Sequence, residues 1–213
     1  MKIRTLSEFQ DALDKEMAWR VKEIADLNSA VTTAPSATQN TMIRAGIALT
    51  YAHWEGFIKN SSEHYLAFIS GKRVPLEDLK DSFVAISIRA QIEKAVESQR
   101  FDQNIKVVDI LRNQMRERFN FTLSSSIDTQ SNLSSSVFKN IVGYLDLKPD
   151  FYEPKFNFID ESLLKRRNKV AHGEYLDVDK KQWKNISREV LNLLRAYKTD
   201  LENSASLSSF MKT

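Results

Sequence analysis

Residues 160 to 175 read Asp160-Glu-Ser-Leu-Leu-Lys-Arg-Arg-Asn-Lys-Val-Ala-His-Gly-Glu-Tyr175, and they hold the side chains best suited to chemistry. Arg167, Asn168 and His172 fall within six residues, flanked by Lys165, Arg166 and Lys169. A guanidinium is permanently charged and grips phosphate oxygens in pairs. An imidazole exchanges its proton near neutral pH, as a general acid or base must. Together they suit a phosphodiester, with a cation on its oxygens and a group to move protons around it. The same residues also have quieter roles. Arg167 would neutralise a half-buried carboxylate, His172 would cap a helix C-terminus, and the lysines would form a solvated face.

The element that positions them reads as a helix over about 159 to 172, with Ile159, Leu163 and Val170 inward and Gly173 as its C-cap. At 100° per residue, Arg167 lies about 40° from Leu163 and about 140° from His172. Arg167 and His172 therefore do not face one cleft on an ideal helix, whereas Asn168 and His172, at i and i+4, share a face. Two remedies are expected together: unwinding at Ala171-His172-Gly173, and a symmetric dimer that joins two copies of the motif. A second helix, about 40 to 70, carries an apolar stripe of Ile43, Ile47, Tyr51, Trp54, Ile58 and Tyr65, with Gly71 as its stop. Glu55 sits at the edge of that stripe, so it needs a cationic or hydrogen-bonding partner, and Arg167 is the candidate. His53 and His64 fall on the opposite side, toward solvent or another chain.

The remaining chain is helical too. Leu6, Phe9, Leu13, Met17, Val21, Ile24 and Leu27 predict a helix over 5 to 30, with Thr5 and Glu8 as a capping box. Two more helices are expected over 76 to 98 and 104 to 118, the latter with a basic face of Arg112, Arg116 and Arg118. Phe119-Asn-Phe-Thr-Leu123 alternates like a short strand and opens an irregular insertion around 119 to 132. Asn132 or Ser131 is expected to cap a helix over 133 to 145. Trp183, Ile186, Val190, Leu193, Leu194, Tyr197 and Leu201 give a final helix over 180 to 203. The pattern predicts one all-α domain over 1 to 203, with a Ser-rich tail, 204 to 213, that frays.

Composition narrows the chemistry. The 213 residues include no Cys, which removes disulfides, thiolate zinc sites and cysteine nucleophiles, and only three His, which disfavours a histidine metal site. No metal and no cofactor is expected. Hydrophobic residues at 42% and charged residues at 28% fit a globular chain, and the net charge of +3 permits an anionic partner. No run approaches the ~20 apolar residues of a membrane span, and the first residues lack a signal peptide's apolar core. The expected setting is the cytoplasm, away from membranes.

Arg-Asn-x-x-x-His at a helix end resembles the signature of the HEPN superfamily. Tyr51-Ala-His-Trp-Glu-Gly-Phe-Ile-Lys59 and Thr129-Gln-Ser-Asn-Leu133 resemble, in the same order, stretches of a stand-alone prokaryotic branch of HEPN-like nucleases. Arg-x4-His alone is a weak pattern; three ordered segments across most of the chain are far more specific. The resemblance implies an all-α HEPN-like bundle with its core in the helices around 41–70, 133–145, 159–172 and 180–203. It implies a homodimer formed through the motif helix, and a metal-independent RNA endonuclease of a toxin–antitoxin or phage-defence system, with an antitoxin or defence partner. Arg167, Asn168 and His172 would be catalytic, Glu55 would orient Arg167, and Lys165, Arg166 and Lys169 would draw in RNA. Attack by the RNA's own 2′-OH would leave a 2′,3′-cyclic phosphate and a 5′-OH. The alternative is a non-catalytic HEPN-like dimer that binds RNA or protein. A related subgroup places a modifiable tyrosine two residues after the histidine; here Tyr175 is three residues on, a departure from that pattern.

Overall fold

The computed structural model describes residues 3–98, 101–119 and 132–212. Most of the expected irregular insertion, and Thr129 to Ser131 of the third HEPN-like stretch, lie outside the described residues. Among those described, seven α-helices build the chain: α1 (Leu6–Thr33), α2 (Ser36–Lys72), α3 (Asp81–Ser98), α4 (Phe101–Asn113), α5 (Ser135–Tyr144), α6 (Lys165–Ala171) and α7 (Lys180–Ser206). A π-helical segment, Phe158–Leu164, runs directly into α6. No strand forms among the described residues beyond two isolated bridges, Pro75 with Arg118 and Leu79 with Met211. The described residues form an all-α bundle. No helix among the described residues is long and apolar enough to cross a membrane.

α1 starts where its sequence says. Glu8 N–H donates to Thr5 Oγ1 at 3.1 Å, and the Glu8 carboxylate accepts from Thr5 N–H at 3.0 Å. α2 is the axis of the bundle: α1, α6 and α7 all pack on it, and α1 forms the most extensive of these pairs. A helix with partners on several sides is buried nearly all round, so a single stripe does not describe it. That corrects the expectation for two histidines. His53 is buried, its Nε2 2.8 Å from Glu23 Oε2 and its ring edge-on to Trp19, while His64 is half-buried. Gly71 does not stop α2 either. A Cβ there would stand 2.1 Å from the Ile3 carbonyl oxygen, so glycine lets the N-terminal segment cross close; α2 ends at Arg73, with φ 57°.

The cap of α5 is Ser134, whose Oγ accepts from Val137 N–H, in place of the expected Asn132 or Ser131. Asp160 reinforces that end. Its carboxylate accepts from Ser135 N–H at 2.8 Å and Ser135 Oγ at 2.6 Å, an anion at a helix N-terminus that ties α5 to the π-helical segment. A chain of aromatic contacts, Trp54 to Phe138 to Tyr152, with Tyr197 against the last two, joins α2, α5 and α7.

The tail does not fray. Ser204 bonds the Tyr65 hydroxyl at 2.6 Å, Phe210 is buried against Phe68, Lys80 N–H donates to the Phe210 carbonyl and Lys212 N–H to that of Asp78. One large apolar residue in a Ser-rich stretch fastens it.

Candidate active site at the end of α6

The π-helical segment turns Ile159 and Leu163 fully into the core, and its last bond runs from Lys165 N–H to the Asp160 carbonyl, five residues back. α6 then lasts two turns and closes in a Schellman motif. Gly173 N–H donates to the Val170 carbonyl, Glu174 N–H donates to that of Lys169, and Gly173 takes φ +74°. His172 is the capping residue between them (φ −87°, ψ 5°). α2 holds the turn from outside: Arg44 Nη2 donates to the Glu174 carbonyl at 3.1 Å, and Asn40 Nδ2 to Asp177 Oδ1 at 3.1 Å.

One face of α6 is closed. Arg167 is half-buried, its guanidinium carbon 4.0 Å from the centroid of the Tyr51 ring, and its Nη2 donates to Asn132 Oδ1 at 2.8 Å. Leu133 N–H donates to the Tyr51 hydroxyl at 2.5 Å. The described parts of the three HEPN-like stretches therefore meet at one point. Burial pushes the Tyr51 phenol above its ordinary pKa and Glu55 adds to that, while bonds from Arg167 and Leu133 oppose it. Glu55 is half-buried as expected, but the expected Glu55–Arg167 ion pair is not formed among the described residues. The Tyr51 ring lies against the guanidinium instead, and the Glu55 carboxylate is felt at the phenol.

The other face is open. A recess of about 310 Å³ is lined by Asp160, Leu164, Lys165, Asn168, Lys169, His172 and Glu174. His172 is exposed, and Lys165 pairs with Glu161 at 2.7 Å. The structure thus gathers Asn168, His172, Lys165 and Lys169, all on the i, i+3, i+4, i+7 face. Arg166, half-buried, and Arg167 are not in the recess lining. The helix does unwind at His172, yet this does not bring Arg167 round. With Lys165 paired to Glu161 and Asp160 engaged by Ser135, the recess offers an anion Lys169 and the Asn168 amide, and it can pass a proton through an imidazole. It lacks the guanidinium in the same wall.

Three contributors were not singled out from sequence: Tyr51 as the platform under Arg167, Asn132 as its acceptor, and Arg44 as the latch on the His172 turn. Tyr51 and Asn132 carried a signal, since both lie in the HEPN-like stretches. Arg44 carried none, because its role is a bond to a backbone carbonyl 130 residues away.

A family model described as RiboL-PSP-HEPN matches residues 15–203, most of the chain. No curated protein and no solved structure matches it.

Proposed function

Since the chain belongs to the RiboL-PSP-HEPN family, we propose that it is a metal-independent RNA endonuclease centred on the end of α6, serving as a toxin or phage-defence effector. The observation that carries this reading is the open recess that puts Asn168 beside His172, between Lys165 and Lys169. The RNA 2′-OH attacks the adjacent phosphorus and displaces the 5′ oxygen. His172 takes up or returns the proton in that exchange. Asn168 and Lys169 hold the phosphate, and Arg167 stabilises the charge that grows on its non-bridging oxygens. Products are a 2′,3′-cyclic phosphate and a 5′-OH, and DNA, without the 2′-OH, is not cut.

Because Arg167 and the recess occupy different faces of α6, the centre is completed by a second copy. Tyr175, next to the latched Glu174, is an exposed aromatic side chain and suits such a contact.

The test is cleavage of a labelled RNA in EDTA by wild type, Arg167→Ala and His172→Ala, with the product ends analysed for cyclic phosphate. Loss in both folded variants is expected. Mixing the two inactive variants should restore part of the activity, since a mixed dimer retains one complete centre. Cleavage that needs a divalent ion, or cleavage of DNA, would overturn the chemistry. The clamp of Arg167 by Tyr51 and Asn132 favours a second reading, in which Arg167 is structural and the dimer binds RNA or protein without cutting. Wild type that binds but never cleaves would select it.

A further inference from the structure

Away from the recess, α7 and the end of α1 enclose a groove of about 500 Å³. Its rim carries Lys180, Lys184, Arg188 and Arg195, its floor Trp183 and Leu191, and no carboxylate is among its lining residues. Lys180 Nζ reaches the Thr32 carbonyl at 3.3 Å, and Arg188 Nη2 reaches Asn185 Oδ1 at 2.6 Å. The nearest acid to Arg188 is Glu189, 3.6 Å from its Nε, which is turned toward Lys155. Asn28, Thr32 and Ser187 add an amide and two hydroxyls to the walls.

We propose that this groove is a second RNA-binding site, which takes a single-stranded segment of the polymer cut at α6. Three features select that ligand. Four cations without a lining acid call for a polyanion. Lys184, Arg188 and Arg195 are exposed on one side of α7, at rises of about 6 and 10 Å along the axis, so they follow an extended backbone. Trp183 is buried beneath the floor, so the half-exposed Leu191 gives a base its apolar contact, and the half-exposed Asn28 amide lies beside it for a base edge. The seven-residue loop 173–179 joins His172 to Lys180 along the chain. The groove rests on the RNA reading of α6 for the identity of the polymer; its binding is measured with cleavage disabled.

The experiment uses His172→Ala protein and a fluorescein-labelled single-stranded RNA of about twelve nucleotides, titrated by anisotropy across a salt series. Adding Lys184→Ala, Arg188→Ala and Arg195→Ala together should weaken binding at least tenfold. It should also shallow the salt slope by about 2, at about 0.7 per lost phosphate contact. All three side chains are exposed, so thermal melting should be unchanged. A control triple on α4 and the turn after it, Lys106→Ala, Arg112→Ala and Arg116→Ala, removes the same charge and should do little. Equal losses in the two triples, or none in the groove triple, would overturn the site. Competition by an oligoglutamate of matched charge as effective as by RNA would overturn the choice of nucleic acid. RNA bound by the groove but never cut by wild type would leave the groove standing and sink the nuclease.

Discussion

Two regions of this protein use nearly the same side chains to opposite ends. In the seam between α1 and α2, Arg20 is 3% exposed, with Nη1 2.5 Å from Glu16 Oε2 and bonded to the Glu16 carbonyl. Asn60 donates to the same carboxylate at 2.9 Å, Trp19 covers the guanidinium at 4.3 Å, and His53 meets Glu23. At the end of α6 there are again an arginine, an amide, a histidine and a carboxylate. Here His172 is exposed and Asn168 lines an open recess. In the seam the polar groups are turned on one another and held shut by aromatic rings. An arginine near a histidine is thus no mark of a site; access for a ligand is.

The contrast can be broken from either side. The largest effect is expected for His172→Ala, a loss of RNA cleavage of about 10² to 10⁴-fold with melting unchanged, because the side chain is exposed. The matching substitution in the seam, Arg20→Ala, should do the reverse. It leaves the partly exposed Glu16 to Asn60 alone and opens a gap under Trp19, lowering stability by about 2 kcal/mol, read by urea denaturation, with the cleavage of the remaining folded protein intact. Equal effects of the two on cleavage would erase the distinction.

A smaller effect belongs to Gly173→Ala. A Cβ there meets nothing within 4 Å, so the cost is the backbone alone at φ +74°, about 1 kcal/mol. Melting should fall by about 2–4 °C, and cleavage should fall further than stability because the turn that holds His172 shifts.

The smallest lies in the pH profile. Burial holds the His53 imidazole below its ordinary pKa; Glu23 opposes that and Arg20 adds to it. His64 is lowered by burial as well. The unfolded chain then binds more protons than the native one just below the ordinary histidine pKa, so stability falls as pH drops through about 6.5 and is flat above it. His53→Gln should flatten that decline, measured as urea midpoints across the pH range. An unchanged profile would mean that His53 is not held neutral.

How much of this was legible in the sequence depends on how local each cause is. The Thr5–Glu8 cap and the cores of α2 and α7 rest on neighbours within a few residues, and they stand as read. So does the i, i+4 face of Asn168 and His172. A helical wheel misplaces His53 because it assumes one buried stripe, and α2 is packed on several sides. The Asn132 amide suits a cap, yet its acceptor oxygen serves Arg167, 35 residues on. The serines of the tail predict fraying, whereas Phe210 fastens it.

The π-helical segment has one more consequence. A periodicity of 100° per residue carries the core positions Ile159 and Leu163 onto α6 as if the helix were uniform, yet the bond from Lys165 to Asp160 spans one residue more than an α turn. The segment works as a phase shifter between the buried anchor and the recess. A deletion of one residue within it would let the helix relax to ordinary α pitch at little cost in hydrogen bonds. Because the wide turn is what absorbs the extra residue, the anchor keeps nearly the same facing against Asn168 and His172 after such a deletion. An added residue would instead rotate the two by about 100°, and either the core or the recess would then face the wrong way. The segment should therefore tolerate the loss of one residue at 158–164 better than the gain of one.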